Sequence, residues 1–131
     1  MIRILIDHNI EGQAKMLWDT FKKAGFLELC QTEFVMFTDV GLSENLNDRD
    51  VWHFIQANQM LLLTDNRSDN EDDSLEQTIR DENMLTSMPV ITIGKISRFK
   101  NSIYREKCAE RIAEIIFELK NYLGTGRIFI P

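Results

Sequence analysis

Three aspartates stand where acidic chemistry is easily assembled. Asp7 ends the apolar run Ile2–Ile6, Asp48 opens an amphipathic segment carrying Val51, Trp52 and Ile55, and Asp65 follows the apolar residues 60–63. Carboxylates gathered without counter-charge repel one another and lose hydration, so such a cluster is most stable around a cation. All-oxygen donors select hard divalent ions such as Mg²⁺ or Mn²⁺, which retain open water positions. A metal held this way activates water and stabilises charge on a phosphodiester during in-line attack. The chemistry suggested is metal-assisted phosphodiester hydrolysis. Taken singly, each aspartate is equally well explained as a turn or cap residue, so their common position has to carry the reading.

That common position depends on the elements around them. Ile2–Ile6 reads as a buried strand, and Asn9 as the N-cap of a helix with Ile10, Ala14, Leu17 and Phe21 on one face and Gly25 at its end. Residues 33–38 hold a second strand, 39–47 a polar loop, and Asn47 or Asp48 caps a short helix. Residues 60–63 form a third strand, the acidic residues 69–73 a solvated loop, and Ser74 caps a helix with Leu75 and Ile79 inward. A fourth strand covers 90–94. One long helix is expected over 102–123, with Tyr104, Cys108, Ile112, Ile115, Leu119 and Tyr122 on one face, and an edge strand over Arg127–Ile130 closes the pattern. Short apolar strands separated by helices call for a mainly parallel sheet covered on both sides, hence a single-domain α/β fold, a three-layer α/β/α sandwich. Ligands of such sheets bind beyond the carboxyl ends of the strands, where all three aspartates fall.

The remaining charges qualify this picture. The chain has 131 residues with 15 Lys and Arg against 21 Asp and Glu, a net charge of −6, and a pI near 4.9. Non-specific nucleic-acid binding by the whole surface is disfavoured, because phosphate binding normally leaves a basic footprint. The one local basic excess, Lys95, Arg98, Lys100, Arg105 and Lys107, lies with Phe99 and Tyr104 just after the fourth strand, where it would hold RNA phosphates beside the acids. Asn9 is placed to orient a water or phosphate. Arg67 would either neutralise the carboxylates or clamp a phosphate with its planar fork. His8 is expected to turn away from Asp7 by strand alternation. Trp18 and Trp52 sit in helical patterns and read as packing residues. Cys30 and Cys108 form no CxxC and read as reduced core thiols. No segment suits a membrane span or a signal peptide, which gives a cytoplasmic protein with no membrane partner as the expectation.

The stretches 4–9, 48–52 and 60–65, continued by 90–94, resemble the PIN-like nuclease superfamily, in particular its small stand-alone members of mostly unknown function. The likeness covers roughly residues 1–95, with about 102–131 as a subgroup-specific end. The resemblance implies an RNase H-like three-layer domain, Mg²⁺ or Mn²⁺ as cofactor, endoribonuclease activity, and in many members an inhibitory antitoxin-like protein partner. It assigns Asp7, Asp48 and Asp65 as metal ligands and catalytic acids; Asn9, Asn66, Arg67 and Arg98 are the candidate substrate contacts read from the residues themselves. One position departs from the pattern. The acid usually found two residues after the strand-terminal Thr is Asn66 here, and Asp65 comes one residue early, an offset that turns a side chain to the other face. A catalytically degenerate domain that binds a protein partner is the alternative, and a homodimer is compatible with either.

Overall fold

The computed structural model describes residues 1–67 and 71–131. Five strands, β1 (Ile2–Ile6), β2 (Thr32–Val35), β3 (Leu61–Thr64), β4 (Val90–Ile93) and β5 (Arg127–Ile130), form one sheet in the order β2-β1-β3-β4-β5, and every pairing is parallel. Helices α1 (Glu11–Lys23), α2 (Phe26–Cys30) and α5 (Ser102–Phe117) cover one face; α3 (Asp48–Ala57) and α4 (Leu75–Glu82) cover the other. The result is the expected three-layer sandwich.

Alternation along the strands divides the core in two. Ile4, Ile6, Leu61, Leu63, Ile91, Ile93, Ile128 and Ile130 pack toward α1 and α5, whereas Leu5, Val35, Leu62 and Val90 pack toward α3 and α4. Because central parallel strands bury both faces, β3 and β4 are buried at all four positions. Among the described residues, no helix is long and apolar enough to cross a membrane.

Several element ends differ from the sequence expectation, each for a local reason. Asn9 does not cap α1. Asp7 instead caps a 3₁₀ turn, His8–Ile10, by accepting the Asn9 N–H at 3.0 Å, and α1 starts only at Glu11. The second strand stops at Val35 because Asp39 accepts the Met36 N–H at 2.8 Å and folds Phe37–Val40 into another 3₁₀ turn. Met60 precedes β3. The long helix breaks at Glu118, which separates α5 from the short α6 (Leu119–Tyr122). Gly25 ends α1 with φ of 83°, and α2, unforeseen, starts immediately after it.

Gly124 leads the chain from α6 into β5. Its φ is 82°, its N–H donates to the Ser87 carbonyl at 2.9 Å, and a Cβ there would meet the Leu85 carbonyl oxygen at 2.7 Å. Gly124→Ala should therefore cost at least about 1–2 kcal/mol from backbone handedness, with the contact adding to it. Leu63→Ala, at a fully buried position of a central strand, should cost about 2–5 kcal/mol. Urea unfolding followed by circular dichroism checks both.

Candidate functional site

The strand order reverses between β1 and β3, since the chain leaves β1 toward β2 on one side and reaches β3 on the other. Crevices at such points are where open α/β sheets bind ligands. Here the carboxyl ends of β1 and β3 are held level by parallel pairing, with Ile6 opposite Leu63, and by the Asp7 N–H, which donates to the Leu63 carbonyl at 3.0 Å.

A cleft of about 60 Å³ opens at that edge, its polar lining Asp7, His8, Asn9, Asp48, Thr64 and Asn66 and its apolar lining including Phe37 and Leu62. One connected set of hydrogen bonds organises it. Thr64 Oγ1 donates to Asp7 Oδ2 at 2.6 Å and accepts the Asn66 N–H at 3.0 Å. Asn66 Nδ2 donates to Asp48 Oδ2 at 2.9 Å, and the Leu75 N–H reaches the same oxygen at 3.1 Å. The first amides of a helix lack intrahelical acceptors, so Asp48, itself at the start of α3, supplies one to the start of α4. The cleft has room for an ion with a few waters but not for a nucleotide, which would lie across its mouth.

Of the expected site residues, Asp7, Asp48, Asn9 and Asn66 meet at this cleft. Asp65 does not. Thr64 and Asn66 project toward the α3/α4 side, so the intervening Asp65 is half-buried outside the cleft lining. Among the described residues, no three His, Cys, Asp or Glu side chains converge as metal ligands. Arg67 is exposed beyond the cleft. Arg98 is exposed too, and its guanidinium lies 5.9 Å from the centre of the Tyr104 ring. In the basic segment, Phe99 and Tyr104 are buried rather than offered for stacking, and Arg105 donates to Thr20 Oγ1 and to the Phe99 carbonyl. Of the acidic loop, Asp69 lies outside the described residues, while Asp72 and Asp73 are exposed.

His8 corrects its expectation. The chain leaves extended geometry after Ile6, alternation ends with it, and the imidazole lines the cleft with Nδ1 3.8 Å from Asp7 Oδ1 and its ring 5.3 Å from that of Phe37. Thr64 and Arg127 were not singled out by sequence. The sequence places Thr64 just past the third strand, among the residues that stop it, whereas in the structure it is the last residue of β3. Arg127, the one charged residue of β5, carried a signal in being an arginine within an otherwise apolar strand. Its Nη1 donates to the Asn66 carbonyl at 2.8 Å and to Thr92 Oγ1 at 2.6 Å, and Nε lies 3.6 Å from Glu76 Oε2. Burial pushes the Arg127 pKa down, opposed by Glu76 and Asp48.

Comparison with protein-family models, with curated proteins and with solved structures gave no match.

Beside the cleft, Arg49 ties α3 to the segment that leads into α4. It donates to Asp73 at 2.8 Å, to the Asp72 carbonyl at 2.8 Å, to Asp81 at 2.9 Å and to Glu82, which His53 also contacts at 2.7 Å. The Gln77 amide and Arg49 hold Asp81 below its ordinary 3.8, and His53 with Arg49 holds Glu82 below its ordinary 4.5. Carboxylates whose pKa is lowered by folding stabilise the folded state above the unfolded pKa and lose that contribution as pH falls through the folded one. Arg49→Met should accordingly destabilise at pH 7, and the difference from wild type should shrink below about pH 4. Thermal melts across pH 3–7 measure it.

Proposed function

We propose that the chain is a metal-dependent endoribonuclease of PIN-like type in which Asp7 and Asp48 hold one divalent cation, Mg²⁺ or Mn²⁺. The observation that carries this reading is a contrast in charge pairing. Asp73, Asp81 and Glu82 all form ion pairs with Arg49, and Glu76 lies against Arg127. In the cleft, Thr64, Asn66 and backbone amides hold Asp7 and Asp48, and no Lys or Arg among the described residues forms an ion pair with either. Two carboxylates fixed by neutral donors keep their negative charge for a cation. The donor set suits Mg²⁺ in particular, which commonly takes one or two carboxylates and completes its shell with water and substrate phosphate.

A divalent cation bound there would supply water activation and charge neutralisation at a phosphodiester. The protein's own part is positional. Thr64 and Asn66 hold the two acids in one geometry, Asn9 and the Asn66 amide offer polar contacts at the mouth, and exposed Lys95 and Arg98, which follow β4 on the same edge, give an RNA strand a cationic approach.

One observation favours a second reading. Asp65 lies outside the cleft and Asn66 occupies the inward position, so the acid set is smaller than the resemblance implies. A degenerate domain serving a protein partner would keep the cleft and lose turnover.

Calorimetric titration with Mn²⁺, paired with cleavage of a mixed RNA pool, separates these readings. For the nuclease, Asp7→Asn should weaken Mn²⁺ by more than the ~10–100-fold typical of losing an outer hydrogen-bond partner, and should abolish cleavage. Mn²⁺ uptake without cleavage supports the degenerate domain; absence of both in wild type rejects the cation site.

A further inference from the structure

Arg127 begins β5 in register with Val90, yet its guanidinium bonds Thr92, two residues further along β4, and the Asn66 carbonyl beyond β3. Two strand residues span about 6.6 Å. The side chain is thus laid along the sheet toward the carboxyl edge, crossing β4 to reach the end of β3. It is only 7% exposed, and among the described residues neither Nε nor Nη2 has a hydrogen-bond partner, the Glu76 contact at 3.6 Å being an ion pair without one. A buried guanidinium is a costly way to fill space that an aliphatic side chain could pack. What it holds accounts for its presence.

Among the described residues, Asn66 is gripped at three points: its N–H by Thr64, its carbonyl by Arg127, and its side-chain amide on Asp48. Fixing both flanking peptide planes fixes the Cα–Cβ direction from which the side-chain amide reaches Asp48. On the other side, Arg127 lies against Glu76, whose neighbour Leu75 gives its N–H to the same Asp48 oxygen. Among the described residues, the two donors to Asp48 Oδ2 thus lie next to the same guanidinium, one through the Asn66 carbonyl and one through Glu76, the neighbour of Leu75.

We propose that Arg127 is a positioning residue for Asp48, acting through the Asn66 carbonyl on one side and through Glu76 at the start of α4 on the other. Its consequence for cation binding rests on the function proposed above; the positioning itself does not. The Leu75 amide is a direct reporter, since at the first position of α4 it has no intrahelical acceptor and is protected by Asp48.

Amide hydrogen exchange by NMR on the full chain, with Mn²⁺ alone as the titrant, tests the proposal. In Arg127→Met, Leu75 exchange should accelerate about tenfold while Leu63 and Ile91 stay as in wild type, and Mn²⁺ affinity should fall about 10–100-fold. Unchanged Leu75 exchange overturns the proposal, as does a uniform acceleration that includes Leu63 and Ile91. A selective Leu75 response in a chain that takes up no Mn²⁺ supports the positioning role and rejects the cation reading. Should Arg127→Met fail to fold, Arg127→Lys, which keeps the charge but not the planar fork, is judged by the same exchange measurements.

Discussion

The parallel pairing of β1 with β3 is the constraint on which the rest of the site depends. Ile6 opposite Leu63 brings two strand ends to one height, so that Asp7 and Thr64 emerge side by side and a 2.6 Å hydrogen bond can join them. From that bond the order spreads outward, to Asn66 through the Thr64 hydroxyl and then to Asp48 on α3 and Leu75 on α4. A shift of one residue in this register would send Thr64 to the α1/α5 face and Asp65 into its place. The two layers of apolar side chains hold the register, so the polar edge is a product of the core.

Charge is distributed to match. The net charge of −6 argues against a surface that attracts phosphate everywhere, but several acids near the edge are engaged in ion pairs within the protein. Arg49 draws in three carboxylates and Arg127 lies against a fourth. The acids lining the cleft are held by uncharged donors, which orient them without cancelling them. Two carboxylates held in place by hydrogen bonds, with Arg127 behind Asp48 and His8 beside Asp7, are what the fold presents at this edge.

Much of the architecture was readable from the sequence because apolar strands and capped amphipathic helices are local signals. Asn47 and Ser74 were recognisable as caps, and both act as such, accepting the N–H groups of Asp50 and Gln77. Where turns compete with regular structure, the pattern misled: Asp7 and Asp39 draw nearby amides into 3₁₀ turns, and Phe37 leaves β2 although its neighbours look extended. Of the site, Asp7 and Asp48 could be anticipated as residues at element ends. Asp65 could not be placed with certainty by residue type, since the face it takes depends on where β3 ends. Arg127 was hidden for a different reason: its partners are Asn66 and Thr92, and only the sheet order brings them within reach.

The contacts at this edge close chain loops of very different length. Asn66 and Asp48 are 18 residues apart, Leu75 and Asp48 27, Thr64 and Asp7 57, and Arg127 and Asn66 61. Closing the longest of these loops rather than the shortest costs about 1 kcal/mol more in chain entropy, and it also requires β4 to be in place beside β3. The Asp48 carboxylate can thus find its nearer partners while the far side of the sheet is still incomplete. The guanidinium of Arg127 reaches Asn66 only because β5 lies beside β4 and β4 beside β3, so this one contact ties the far edge of the sheet to the cleft.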